Sequence, residues 1–119
     1  MTRINCGVPP IELSDRHLLA EHREIKRVPN AVARGRCDLR RPLPEAFSLG
    51  AGHVRFFYDK LGHLLARYLE LRAECLRRGF AVTDFSGAWE GVDPSLMGGY
   101  VPTPADTALV RTRIAERTP

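Results

Sequence analysis

Apolar positions along the chain fall into three stretches with a helical period, separated by loops rich in proline and glycine. In the first, Leu18, Ile25 and Val32 recur every seven residues and form one stripe. Ser14 is placed to cap that helix, Asp15 suits the positive end of its dipole, and Pro29 is expected to kink or interrupt its second half. The second is the most regular: Leu61, Leu64, Leu65, Tyr68, Cys75 and Leu76 follow three-four spacing, with Arg72 as a polar intruder. Asp59 is the expected cap there, Gly62 should weaken the first turn slightly, and Gly79 after Arg77 and Arg78 is the expected stop. The third opens on Thr103-Pro104-Ala105-Asp106, a capping residue, a first-turn proline and a returning acid, and should run to about Arg113–Glu116.

No segment alternates as a strand, and there is no internal repeat. The pattern predicts an all-α fold, a compact single domain of three helices with long ordered loops, spanning residues 1–119. Gly50-Ala-Gly52 is expected to form a tight turn, and Thr2–Pro10, without a helical period, must either pack against the helices or fray.

Composition adds little until it is placed along the chain. The net charge is +4 with a pI near 9.3, carried by 16 arginines and two lysines. Residues 16–41 hold eight positive charges against three negative, whereas residues 84–110 hold four negative and none positive. A molecule polarised in this way presents one face to a polyanion and turns the other away. Cys6, Cys37 and Cys75 are too scattered for a disulfide framework and read as reduced thiols. No stretch approaches a membrane span or a signal peptide.

On a helical wheel Arg16, Arg23 and Arg27 fall within about 40° of one another, opposite the apolar stripe. His17 and Glu24 sit together between the two stripes, and Glu21 lies nearer the core. This pattern fits either a solvated face laced with ion pairs, such as Glu24 with Arg23 or Arg27, or a phosphate-binding face holding one carboxylate among cations. A carboxylate on a surface that meets phosphate needs a chemical reason to be there. The four histidines lack ligand spacing, so neither a metal nor a cofactor is expected. No phosphate loop, dinucleotide fingerprint or nucleophile elbow is present.

Five blocks, in order, resemble the endonuclease V-like family of pyrimidine-dimer DNA glycosylases with abasic-site lyase activity. They are Thr2-Arg-Ile-Asn5; His17-Leu-Leu-Ala-Glu-His-Arg-Glu24 with Arg27; Leu49-Gly-Ala-Gly-His-Val-Arg-Phe-Phe-Tyr-Asp-Lys-Leu61; Ala73-Glu-Cys-Leu-Arg-Arg-Gly-Phe80; and Gly99-Tyr-Val-Pro102. The resemblance implies a compact three-helix domain acting on double-stranded DNA. It implies that Met1 is removed and that the amine of Thr2 is the nucleophile. An α-amine near pKa 7.7–8.0 is partly neutral at cellular pH, as a lysine is not, so the assignment makes chemical sense. Glu24 becomes the catalytic carboxylate, and Arg3, Arg23, Arg27 and His17 map onto DNA-contacting positions. Arg16 stands where the family's phage members have a neutral polar residue, so its role rests on the wheel alone.

By the same resemblance the enzyme bends DNA, extrudes the damaged nucleotide and forms an imine with the opened sugar. The chain departs from the family in one extra residue near Gly7-Val-Pro-Pro10, a shorter segment between Arg27 and Leu49, and an end at Pro119 where phage members continue with an aromatic, basic tail. The amine and Glu24 chemistry is therefore implied more directly than specificity for pyrimidine dimers. Two other functions fit the same residues: a non-catalytic DNA-binding module, and a glycosylase for another damaged or modified base. A cytoplasmic monomer is expected in each case.

Overall fold

The computed structural model describes residues 2–117. Its α-helical segments are α1 (Asp15–Glu24), α2 (Arg27–Ala33), α3 (His53–Phe56), α4 (Leu61–Arg77) and α5 (Pro104–Glu116). Short 3-10 turns occupy Pro10–Glu12, Ser86–Trp89 and Pro94–Leu96. Among the described residues there is no strand, only an isolated bridge between Lys60 and Met97. The all-α expectation therefore stands, but the count of three helices is corrected: five segments are present among the described residues, of which α1, α4 and α5 have ten residues or more.

The extra segments have local causes. Ser14 caps α1 by accepting from the His17 N–H. The helix then breaks at Ile25 and Lys26, because a proline ring at position 29 collides with the carbonyl four residues earlier. Restarting at Arg27 puts Pro29 in a first turn, where its missing N–H costs nothing. The break also re-aims the stripe. Leu18 and Ile25 are fully buried, as expected, but Val28 takes the next core position and Val32 is only half-buried. α3 is a single turn that follows the Gly50–Gly52 turn.

Helix α4 is the centre of the fold and packs against α1, the Pro10–Glu12 turn and the Ser86–Trp89 turn. Its buried face is Leu61, Leu64, Arg67, Tyr68, Leu71, Glu74 and Cys75. Leu71, not Leu76, faces inward, and Leu76 is exposed. The Trp89 indole N–H donates to the Leu61 carbonyl at 3.0 Å, and the Tyr68 hydroxyl accepts from the Phe85 N–H at 2.6 Å. The end of α4 is as expected: Gly79, at φ 88°, lets its own N–H reach the Leu76 carbonyl and the Phe80 N–H reach that of Cys75.

The start of α4 differs from expectation. Asp59 does not cap it; its carboxylate accepts from Lys60 Nζ at 2.9 Å. The Gly98 carbonyl satisfies the His63 N–H at 3.0 Å, and the Gly98 N–H returns a bond to the Asp59 carbonyl. A loop distant in sequence does what a capping side chain would otherwise do. At α5 the capping box forms as read, with Thr103 and Asp106 bonded reciprocally.

Candidate active site

The N-terminal segment does not fray. Ile4, Asn5 and Cys6 are buried, and four elements hold them. The Ile4 N–H donates to His53 Nε2 at 3.0 Å, while His53 Nδ1 lies 2.8 Å from the Ser48 carbonyl. A carbonyl can only accept, so Nδ1 carries the proton and the ring is neutral. Burial pushes the His53 pKa down, in agreement with that tautomer.

Glu21 makes the central junction. Its carboxylate accepts from the Asn5 N–H at 3.2 Å, Asn5 Nδ2 at 2.9 Å, Arg67 Nε at 2.8 Å and Arg67 Nη2 at 2.9 Å. Arg67 Nη1 donates to the Val8 carbonyl. The side chains of Glu21 and Arg67 are 1% and 5% exposed. Burial disfavours the Arg67 charge, but the charge and hydrogen bonds of Glu21 more than offset it and hold Arg67 above the ordinary guanidinium value. From α5, Arg113 Nη2 donates to Asn5 Oδ1 at 3.1 Å. Segment 4–8 is thus tied to α1, α3, α4 and α5.

Beside this junction opens a cleft of about 320 Å³, lined by Arg3, Asn5, Arg16, His17, Glu24 and Arg113, among others. It gathers four of the residues singled out from the sequence. The side chain of Glu24 is 17% exposed and lies 3.4 Å from Arg23 Nη2. Burial, followed by the charges of Arg16 and Arg3, depresses the His17 pKa below its usual 6.5 and keeps the ring neutral at pH 7. His17 Nδ1 is buried without a hydrogen-bond partner.

Arg23 and Arg27 do not line the cleft; both are exposed, with Arg23 bound to Glu24 at the rim. Thr2 is half-buried immediately before Arg3 and is not part of the lining. Met1, whose loss would free the Thr2 amine, lies outside the described residues.

The sequence of residues 1–86 matches the family described as pyrimidine dimer DNA glycosylase. The chain belongs to that family. Its members are DNA-repair glycosylases, so the substrate class is DNA. Among the described residues no helix is long and apolar enough to cross a membrane.

The matched segment ends before α5, yet α5 supplies Arg113 and Ile114 to the cleft wall, and Arg117 follows at its C-cap. Sequence reasoning missed these, together with Asn5, Ala20 and Glu21. A signal was present for the arginines: Arg111, Arg113 and Arg117 follow the acidic tract of residues 84–110 at once. No signal marked Glu21 as the partner of a residue 46 positions away.

Proposed function

We propose that this protein is a pyrimidine-dimer DNA glycosylase that also cleaves the resulting abasic site, through an imine between the Thr2 amine and the damaged sugar. The observation that carries the proposal is the convergence of Arg3, Arg16, His17 and Glu24 on one cleft, next to an N-terminal segment pinned by buried hydrogen bonds. An endonuclease V-like three-helix core, with α1, α4 and α5 as its main helices, is the fold that goes with this activity.

After removal of Met1, the lone pair of the Thr2 amine attacks the anomeric carbon of the extruded nucleotide. The glycosidic bond breaks with its electrons leaving on the base, which takes up a proton. Ring opening gives the imine, and loss of a proton from the adjacent sugar carbon expels the 3′ phosphate. Glu24 faces the cationic sugar and iminium, stabilises both and moves protons between them. Arg3 and Arg16 in the cleft bind backbone phosphates, and Arg23 and Arg27 extend that contact along the exposed side of α1 and α2. His17, neutral at pH 7, offers hydrogen bonds without competing for the phosphate charge. The protein acts as a cytoplasmic monomer and needs no cofactor.

The test is borohydride trapping on dimer-containing and abasic duplexes, with protein whose intact mass shows loss of Met1. A covalent adduct mapping to Thr2 is expected on both. No adduct on either would overturn the proposal, and a chain that keeps Met1 and binds duplex without trapping would mark a non-catalytic DNA-binding module. A panel of other damaged or modified duplexes separates dimer specificity from a different substrate base.

A further inference from the structure

We infer that Asn5 and Glu21 are positioning residues, which set the Thr2 amine in register with Glu24 at the cleft; the inference rests on the function proposed above. The Thr2 nitrogen is three residues from that of Asn5, so the chain can carry it no farther than about 10 Å away. An N-terminal residue ordinarily frays. Here every polar group of the Asn5 side chain is used: Nδ2 donates to Glu21 and Oδ1 accepts from Arg113. The Asn5 N–H also donates to Glu21, and the preceding N–H, of Ile4, is held by His53.

The anchor and the catalytic carboxylate are carried by one rigid element. Glu21 and Glu24 are three residues apart on α1, on neighbouring parts of one face, with a rise of about 4.5 Å between them along the axis. Anchoring Asn5 on Glu21, with the Ile4 N–H held by His53, therefore confines residue 2 to a short reach from a point one helical turn from Glu24. Positional order, more than stability, explains a charge at this place. A buried ion pair contributes little net stability, because desolvation offsets its attraction, and apolar residues of similar volume fill such a site as well. What apolar residues lack is direction: two bonds from Arg67 hold the Glu21 carboxylate, and the two it receives from Asn5 orient the N-terminal backbone.

Asn5→Ala removes the link to the N-terminus but leaves the Glu21–Arg67 pair in place. The experiment measures single-turnover borohydride trapping on an abasic duplex at saturating protein, alongside duplex affinity and thermal melting. The expected result is a trapping rate about 10- to 100-fold lower with affinity unchanged, since a displacement near 1 Å is enough for such a loss. Trp89→Phe, which removes the bond to the Leu61 carbonyl away from the cleft, serves as a destabilised control and should trap at the wild-type rate. Should Asn5→Ala not fold, Asn5→Gln keeps the amide but moves it by one methylene, and the same rate loss is expected. An unchanged rate in the Asn5 variant, an equal loss in Trp89→Phe, or a parallel loss of affinity each overturns the positioning role. Absence of any adduct in the wild type overturns the amine mechanism together with it.

Discussion

Gly62→Ala is a substitution whose sign reverses between sequence and structure. Judged as a glycine in a helix, its replacement should stabilise, by up to about 1 kcal/mol. In the fold, a Cβ at this position would stand 2.6 Å from the Met97 carbonyl oxygen and 3.0 Å from that of Gly98. Both are backbone atoms, so neither can turn aside as a flexible side chain would. Relief requires the 97–98 strap to retreat by several tenths of an ångström. That stretches the bond from the His63 N–H to the Gly98 carbonyl, now 3.0 Å, and the bond from the Gly98 N–H to the Asp59 carbonyl, now 3.2 Å. Losing two hydrogen bonds costs about 1 kcal/mol each, and residual overpacking adds about 1 kcal/mol or more. Set against the propensity gain, the net is a destabilisation of about 2 kcal/mol. At about 2.1 cal/mol/K per residue, this corresponds to a Tm about 8 °C lower for a chain of 119 residues. Calorimetry or melting followed by circular dichroism at neutral pH measures it. Gly50→Ala is the control, because a Cβ there meets nothing within 4 Å, and its Tm should stay within about 2 °C of wild type. A higher Tm for Gly62→Ala would refute the capping role of the strap.

Three other outcomes are expected. Glu24→Gln should bind duplex DNA with near wild-type affinity and cleave it about 10²- to 10⁴-fold more slowly, in a gel assay on dimer-containing duplex; equal loss of binding would make Glu24 structural. Arg16→Gln should lower the slope of log affinity against log salt by about 0.9, one phosphate contact, and an unchanged slope would place Arg16 off the DNA. Stability should fall as pH drops below about 6.5. Burial is the leading cause of a lowered pKa at His17, His22, His53 and His63, so the unfolded chain takes up protons first. Their contribution is complete above the ordinary value of 6.5 and is lost as pH falls through the folded-state values. Urea melts at pH 7.5, 6.5 and 5.5 measure this, and a midpoint that rises on acidification would contradict it.

The helix signals legible in the sequence were those set by a few neighbouring residues. Ser14, the Thr103–Asp106 box, Gly79 and the interruption by Pro29 act over one turn of chain, and each appears in the fold as read. The arginines of the first helix were legible for the same reason, because helical phase alone brings Arg16 near His17 and Glu24. Arg23 and Arg27 nevertheless lie outside the cleft; for Arg27 the helix breaks first, and phase counted through that interruption could not place it. The family blocks marked Thr2 and Glu24, whereas periodicity said nothing of Thr2.

Tertiary structure decided whatever depends on groups far apart in sequence. It paired Glu21 with Arg67 across 46 positions and Asn5 with Arg113 across 108, and it brought α5 to the cleft wall. It also replaced the expected Asp59 cap by the Gly98 carbonyl and turned Gly62 from a weakness into a requirement. A cap or a break is an energy difference of about 1–3 kcal/mol that adjacent residues impose on their own backbone. A buried carboxylate chooses its partners only after chain entropy has been overcome and the helices have packed, and no local pattern encodes that choice.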